Sequence, residues 1–79
     1  MNAPIANLTP TSIPQLLRLK QVQEHTGISR STIYSMMNPK ARAYDPTFPK
    51  SIQLSPRTVA WVAAELEAWI VAKAAAGRG

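Results

Sequence analysis

Val22-Gln23-Glu24-His25-Thr26-Gly27-Ile28-Ser29-Arg30-Ser31-Thr32-Ile33-Tyr34 reads as helix, tight turn, helix. Apolar residues recur at Leu19, Val22, Ile28, Ile33 and Met37, and Gly27 interrupts the pattern. A glycine there can take the positive φ that ends a helix. Two residues on, Ser29 stands where an N-cap oxygen would hold the first free N–H groups of a second helix. That helix opens with Arg30, Ser31 and Thr32 and carries Tyr34 and Ser35, side chains that can reach base edges and phosphates. Arg30 and Tyr34 are four apart and share one face, with Ser31 and Ser35 beside them. Ile33, Met36 and Met37 take the inner face. A dry side and a wet side of this kind also describe an ordinary amphipathic surface helix. The capping serine, the cationic first turn and the preceding turn favour a helix-turn-helix facing DNA.

The flanking sequence supplies the rest of one small domain, expected over residues 15–76. Residues 1–14 carry Pro4, Pro10 and Pro14, which block helix and ladder pairing, so this segment is expected to be a flexible arm. It holds no Lys or Arg and is a poor candidate to contact DNA. Leu16 to Lys20 leads into a first helix expected from about Gln21 to Thr26. The second is expected from about Arg30 to Met37, ended by Asn38-Pro39 because the residue before proline avoids the helical region. Pro39, Pro46, Pro49 and Pro56 exclude a long helix over residues 39–60. Ser51-Ile52-Gln53-Leu54 alternates polar and apolar like a strand, and Thr58-Val59-Ala60-Trp61 is β-branched and aromatic. Ser55-Pro56-Arg57 between them looks like a turn. A last helix is expected from about Val62 to Ala75, with Val62, Leu66, Trp69, Ile70 and the stem of Lys73 on its apolar face. Gly77 and Gly79 are expected to end it, leaving residues 77–79 as a tail. Trp61 and Trp69 are expected in the core, Trp69 under the first two helices. Tyr34, Tyr44 and Phe48 are the aromatics left free for the alternative of stacking on single-stranded bases, which no aromatic-basic alternation supports. The fold class is therefore mainly α with a small β ribbon: three helices plus a two-stranded wing.

Charge points the same way. The chain of 79 residues carries a formal net charge of +5, from nine Lys and Arg against four Asp and Glu. Arg30, Lys40, Arg42, Lys50 and Arg57 are set against Asp45 alone, five minus one, a local excess of +4 over 28 residues. Such a stretch suits a polyanion, although a solvated basic surface has the same composition.

Other chemistries find little support. There is no cysteine, so neither disulfides nor thiolate metal sites can form. The single His25 cannot build a zinc site, and it reads as a surface helix residue rather than a ligand or base. His25, Glu24, Asp45, Glu65 and Glu67 form no dyad or triad spacing. Three glycines make no phosphate loop. No enzymatic activity, metal or cofactor is expected. No charged start followed by an apolar run marks a signal peptide, and no stretch approaches the roughly 18 apolar residues of a membrane span. A cytoplasmic location is the expectation.

The order of blocks resembles the AlpA family of small prophage and mobile-element regulators, related to MerR-like and excisionase-like winged helices. The blocks are Leu17-Arg18-Leu19-Lys20-Gln21-Val22, Gly27 to Tyr34, Phe48-Pro49-Lys50-Ser51-Ile52-Gln53-Leu54, Arg57-Thr58-Val59-Ala60-Trp61 and Glu65-Leu66-Glu67-Ala68-Trp69-Ile70. They span about residues 16–72. The resemblance implies a recognition helix bearing Ser29, Arg30, Ser31, Thr32 and Tyr34, and a wing over Phe48–Trp61 with Lys50 and Arg57 near the DNA backbone. It implies a transcriptional regulator, or alternatively a recombination directionality factor that bends DNA. The expected partner is double-stranded DNA, with further copies of the chain on tandem or palindromic sites. The rival from another class is a small protein-interaction module whose basic face meets an acidic partner. Two departures stand out. The link from Met37 to Phe48 is long, adding Pro39 to Thr47. Val62-Ala63-Ala64 offers no capping side chain to the last helix.

Overall fold

The computed structural model describes residues 13–78. The arm expected over residues 1–14 falls almost wholly outside them; Ile13 and Pro14, its last two residues, are exposed. Along the chain run β1 (Leu16–Leu17), α1 (Leu19–Thr26), α2 (Arg30–Met37), β2 (Ile52–Ser55), β3 (Thr58–Val62) and α3 (Ala63–Arg78). The three strands form one antiparallel sheet in the order β1-β3-β2.

The ribbon expected to be two-stranded thus has a third strand. Leu16 pairs with Val62 and Leu17 with Trp61. A two-stranded ribbon is marginal in water, and pairing on the second edge of β3 makes β3 the central strand. The same pairing corrects the start of the last helix. Val62, expected on its apolar face, is the last residue of β3. α3 then begins without a side-chain cap, but the Ala63 N–H donates to the Gln15 carbonyl at 2.8 Å. A backbone acceptor from the residue just before β1 supplies one partner where Val62-Ala63-Ala64 offers no side chain. At its other end α3 runs through Gly77 to Arg78, so Gly77 does not end it.

Leu17, Val22, Ile33, Met36, Phe48, Trp61 and Leu66 form the buried core, with Leu19, Ile28, Met37, Trp69 and Ile70 packed against it. Every element except β2 contributes to that core, and β2 is exposed along its length. Trp61 is fully buried, and its Nε1 finds no acceptor among the described residues. An unpaired buried N–H costs about 1–3 kcal/mol, which burial of the indole ring must exceed.

The long link between α2 and β2 is a run of tight turns. Lys40 N–H donates to Asn38 Oδ1 at 3.0 Å, Tyr44 N–H to the Ala41 carbonyl at 3.1 Å and Asp45 N–H to the Met36 carbonyl at 2.9 Å. Phe48, expected to be free for stacking, is 3% exposed. Its ring meets Trp69 edge-on, with centroids 5.0 Å apart. Trp69, expected under α1 and α2, therefore packs on the link as well as lying beside the α1–α2 turn, where it shares a depression with His25, Thr26 and Ile28. Its Nε1 donates to Asp45 Oδ2 at 3.3 Å, and Lys73 Nζ lies 3.0 Å from the same oxygen.

Candidate nucleic-acid interface

The expected site is centred on α2, and its position follows from the turn before it. Thr26 Oγ1 donates to the Val22 carbonyl at 2.8 Å and accepts from the Ile28 N–H at 3.2 Å. Gly27 has φ 72°, and its N–H donates to the Gln23 carbonyl at 2.7 Å. The left-handed glycine closes α1 and turns the chain within two further residues. Ser29 then caps α2: its Oγ accepts from the Thr32 N–H at 3.3 Å and donates to Thr32 Oγ1 at 3.0 Å. These bonds fix the end of α1 and the start of α2 from local chemistry.

Ile33 and Met36 bury the inner face of α2. Arg30, Ser31, Thr32 and Tyr34 are exposed, and Ser35 is half-buried. The Arg30 guanidinium lies 5.8 Å from the centroid of the Tyr34 ring, a cation–π contact that favours one orientation of a long side chain.

Beside this face lies a cleft of about 610 Å³ lined by Arg18, Leu19, Lys20, Gln23, Arg30, Tyr34, Arg57 and Val59. Three elements meet there: the first turns of α1, the outer face of α2, and the start of β3 with the turn before it. Four of its lining residues are Arg or Lys and none is acidic. Cations gathered on low-dielectric walls focus a positive potential into the space between them. Leu19, Val59 and the Tyr34 ring supply apolar wall, and Gln23 an amide that can both donate and accept. The start of α1 is fixed by Gln21, whose Oε1 accepts from the Arg18 N–H at 2.9 Å.

Of the residues expected from sequence, Arg30, Tyr34 and Arg57 meet in this cleft. Ser29 and Thr32 spend hydrogen-bonding capacity on the cap. Lys40 and Arg42 are exposed on the link and do not line the cleft. Lys50 lies in a separate depression with Ile52, Ala68, Trp69 and Ala72. Arg18, Lys20 and Gln23 were not foreseen. α1 begins at Leu19 rather than Gln21, which turns a basic lead-in into part of the helix facing the cleft. The available signal was Gln21, three residues after Arg18, half of a capping box.

The positive surface is little offset by Asp45. Its carboxylate accepts from the Thr47 side chain, lies against Lys73, and accepts from the Thr47 N–H at 2.8 Å. These contacts, in that order of weight and with a further one from Trp69, hold it well below the usual carboxylate range against a smaller opposing effect of burial. No group of His, Asp and Glu among the described residues is arranged to hold a metal ion. No helix among them is long and apolar enough to cross a membrane.

The family model for the prophage CP4-57 regulatory protein (AlpA) matches residues 15–74. The chain belongs to the AlpA family. It is 44% identical over 59 residues to a protein of Escherichia coli (strain K12) named DNA-binding transcriptional activator AlpA, which covers 75% of this chain and 84% of that protein. It is 32% identical over 76 residues to uncharacterized protein ORF88 of Enterobacteria phage P4, covering 92% of this chain and 80% of that protein. No solved structure matches. The span shared with the AlpA model takes in β1, both helices of the turn, the β2–β3 hairpin and most of α3. All the lining residues of the cationic cleft lie inside it.

Proposed function

We propose that this chain is a winged helix-turn-helix protein that binds duplex DNA sequence-specifically and regulates transcription in a prophage or mobile element. The observation that carries the reading is the cleft in which Arg18, Lys20, Arg30 and Arg57 converge from three elements with no carboxylate among the lining residues. A phosphodiester strand is the polyanion such a cleft fits, because Arg18, Lys20 and Arg57 can each neutralise a phosphate and release a condensed counterion while Arg30 reaches past them. α2 then lies in the major groove with its first turn, Arg30, Ser31 and Thr32, toward base edges and Tyr34 and Ser35 further along. The β2–β3 hairpin is the wing, and Arg57 at its turn meets the backbone. Lys40, Arg42 and Lys50 add general attraction from outside the cleft. The family relative named as a DNA-binding transcriptional activator supports the same reading.

The test begins with enrichment of binding sites from a random duplex pool, followed by fluorescence anisotropy on the enriched site and a scrambled duplex. Preference for the enriched site is expected to be about 10³-fold or more. The logarithm of affinity should fall with the logarithm of salt with a slope of about −3, for the three cleft cations Arg18, Lys20 and Arg57 placed on phosphates. Steeper-than-simple isotherms on longer enriched fragments would mark further copies at tandem or palindromic sites. A pool that enriches nothing, with a flat salt response, would overturn the proposal and favour a protein partner.

A further inference from the structure

The tip of the β2–β3 hairpin carries an apolar side chain for which the core has no use. Leu54 is 51% exposed and belongs to no part of the buried cluster. The backbone singles it out as well. Gln53 pairs with Val59 and Ser55 with Thr58, so the register slips by one residue and Leu54 is the extra residue of a bulge. A bulge bends its strand and re-aims the side chain it carries. The turn beyond is narrow, Pro56 and Arg57 alone, and Gln53 Nε2 donates across it to the Pro56 carbonyl at 3.4 Å. Proline fixes one φ there, so the tip is stiff. Arg57, three residues from Leu54, lines the cationic cleft, so the tip is continuous with that surface. From Pro46 through Ala64 the sequence holds no acidic residue.

We propose that Leu54 is a wedge: projected by the bulge at the hairpin tip, it enters a base step from the minor groove and kinks the duplex. This rests on the DNA-binding reading above. A leucine at the end of a narrow ribbon fits the minor groove, where an inserted apolar side chain unstacks a step while Arg57 holds the flanking phosphate backbone. The alternative use of an exposed leucine is contact with a second copy of the chain, through Leu54 together with Ile52, which is 40% exposed. The minor groove is favoured because Ile52 lies in the depression under α3 whereas Leu54 does not. An inserted wedge also prefers steps that unstack easily. Enriched sites should therefore carry a TA or CA/TG step at a fixed distance from the bases read by α2.

The experiment uses the full chain and a duplex of about 30 base pairs enriched from the random pool, labelled at both ends for energy transfer. At saturating protein the wild-type complex should be bent by about 20° or more. Leu54→Ser should remove at least about half of that bend and Leu54→Met should keep it. A 2-aminopurine at the pyrimidine–purine step should brighten with wild-type protein and stay dark with Leu54→Ser. A straight wild-type complex overturns the wedge, and so does a Leu54→Ser complex as bent as wild type. If in addition Leu54→Ser lowers the sedimenting mass of the wild-type complex, the leucine belongs to an interface between copies. In each case a duplex that is enriched and bound leaves the DNA-binding reading standing; failure to enrich any duplex removes both.

Discussion

Asp45 ties the link to two helices, to α2 through its backbone N–H and to α3 through its carboxylate. It gathers Thr47, Lys73 and Trp69, and its N–H holds the end of α2 through the Met36 carbonyl. Its carboxyl is held below the ordinary value, so the charged form is favoured in the folded state. For a depressed carboxyl, the stabilisation is fully present above the unfolded value of about 3.9 and is lost as pH falls through the folded value. The melting temperature should therefore be flat near neutrality with respect to this group and fall progressively below about pH 4. Asp45→Asn should lower stability at pH 7 by about 1.5–3 kcal/mol, the range for hydrogen bonds to a charged group, and should flatten the acid limb of that profile. A variant with the same acid limb as wild type would remove Asp45 as its source. Ser29 and Arg30 are neighbours with opposite roles. Ser29→Ala removes the cap of α2 and should cost about 1 kcal/mol of stability while leaving the order of preferred bases unchanged. Arg30→Ala should leave the melt unchanged, cost about 1–3 kcal/mol on the enriched site and relax preference at one position. Melting curves and binding to single-base variants of the enriched site separate the two; a Ser29→Ala protein with altered base preference would make the serine a reader as well as a cap.

Among the elements, α3 is the one whose role changed most between sequence and structure. Trp69 joins it to the link through Phe48 and Asp45, and its ring is 5.8 Å from Lys73 Nζ. It is half-buried, so Trp69→Ala should cost about 3 kcal/mol, the lower end for a large aromatic. A domain of this size holds on the order of 3–5 kcal/mol in all, so the variant should keep only about 0–2 kcal/mol and melt far below wild type by circular dichroism, with part of the population already unfolded at 25 °C. A melt within a few degrees of wild type would mean that the link is held by Asp45 and Phe48 without the indole. α2 was readable to the residue, because its start and the end of α1 depend on Gly27 and Ser29 acting on their own neighbours. β1 was not readable: two leucines become a strand only because β3, more than forty residues later, offers a free edge. Val62 fell on the wrong side of a boundary for the same reason, since its partner is Leu16. The site divides in the same way. Arg30 and Tyr34 lie one helical turn apart and could be paired from spacing, whereas Arg18, Lys20 and Arg57 come together only when the hairpin folds beside α1.

At the scale of the whole molecule, that convergence makes charge position matter more than charge number. The chain has nine Lys and Arg, and their sum alone would predict that any one of them matters about as much as any other for a polyanion. The fold predicts otherwise. Arg18, Lys20 and Arg57 line one cleft with Arg30, while Lys50 lies in a different depression beside α3, and Lys73 is paired with Asp45. Neutralising a cation that sits on a phosphate removes one released counterion, which reduces the salt slope by about one unit. It also weakens specific and scrambled duplex alike, because phosphates carry no sequence. Arg18→Ala, Lys20→Ala and Arg57→Ala should each do both. Lys50→Ala should weaken binding slightly at low salt, where screening is poor, and leave the slope within about half a unit of wild type. Anisotropy titrations at four or five salt concentrations measure all of this. Equal slopes lost at Lys50 and Arg57 would mean that the duplex wraps past the hairpin toward α3. Loss of slope at none of the three cleft residues would mean that the convergence seen in the fold is not where the phosphates run, and the contact would have to be sought along the link, at Lys40 and Arg42.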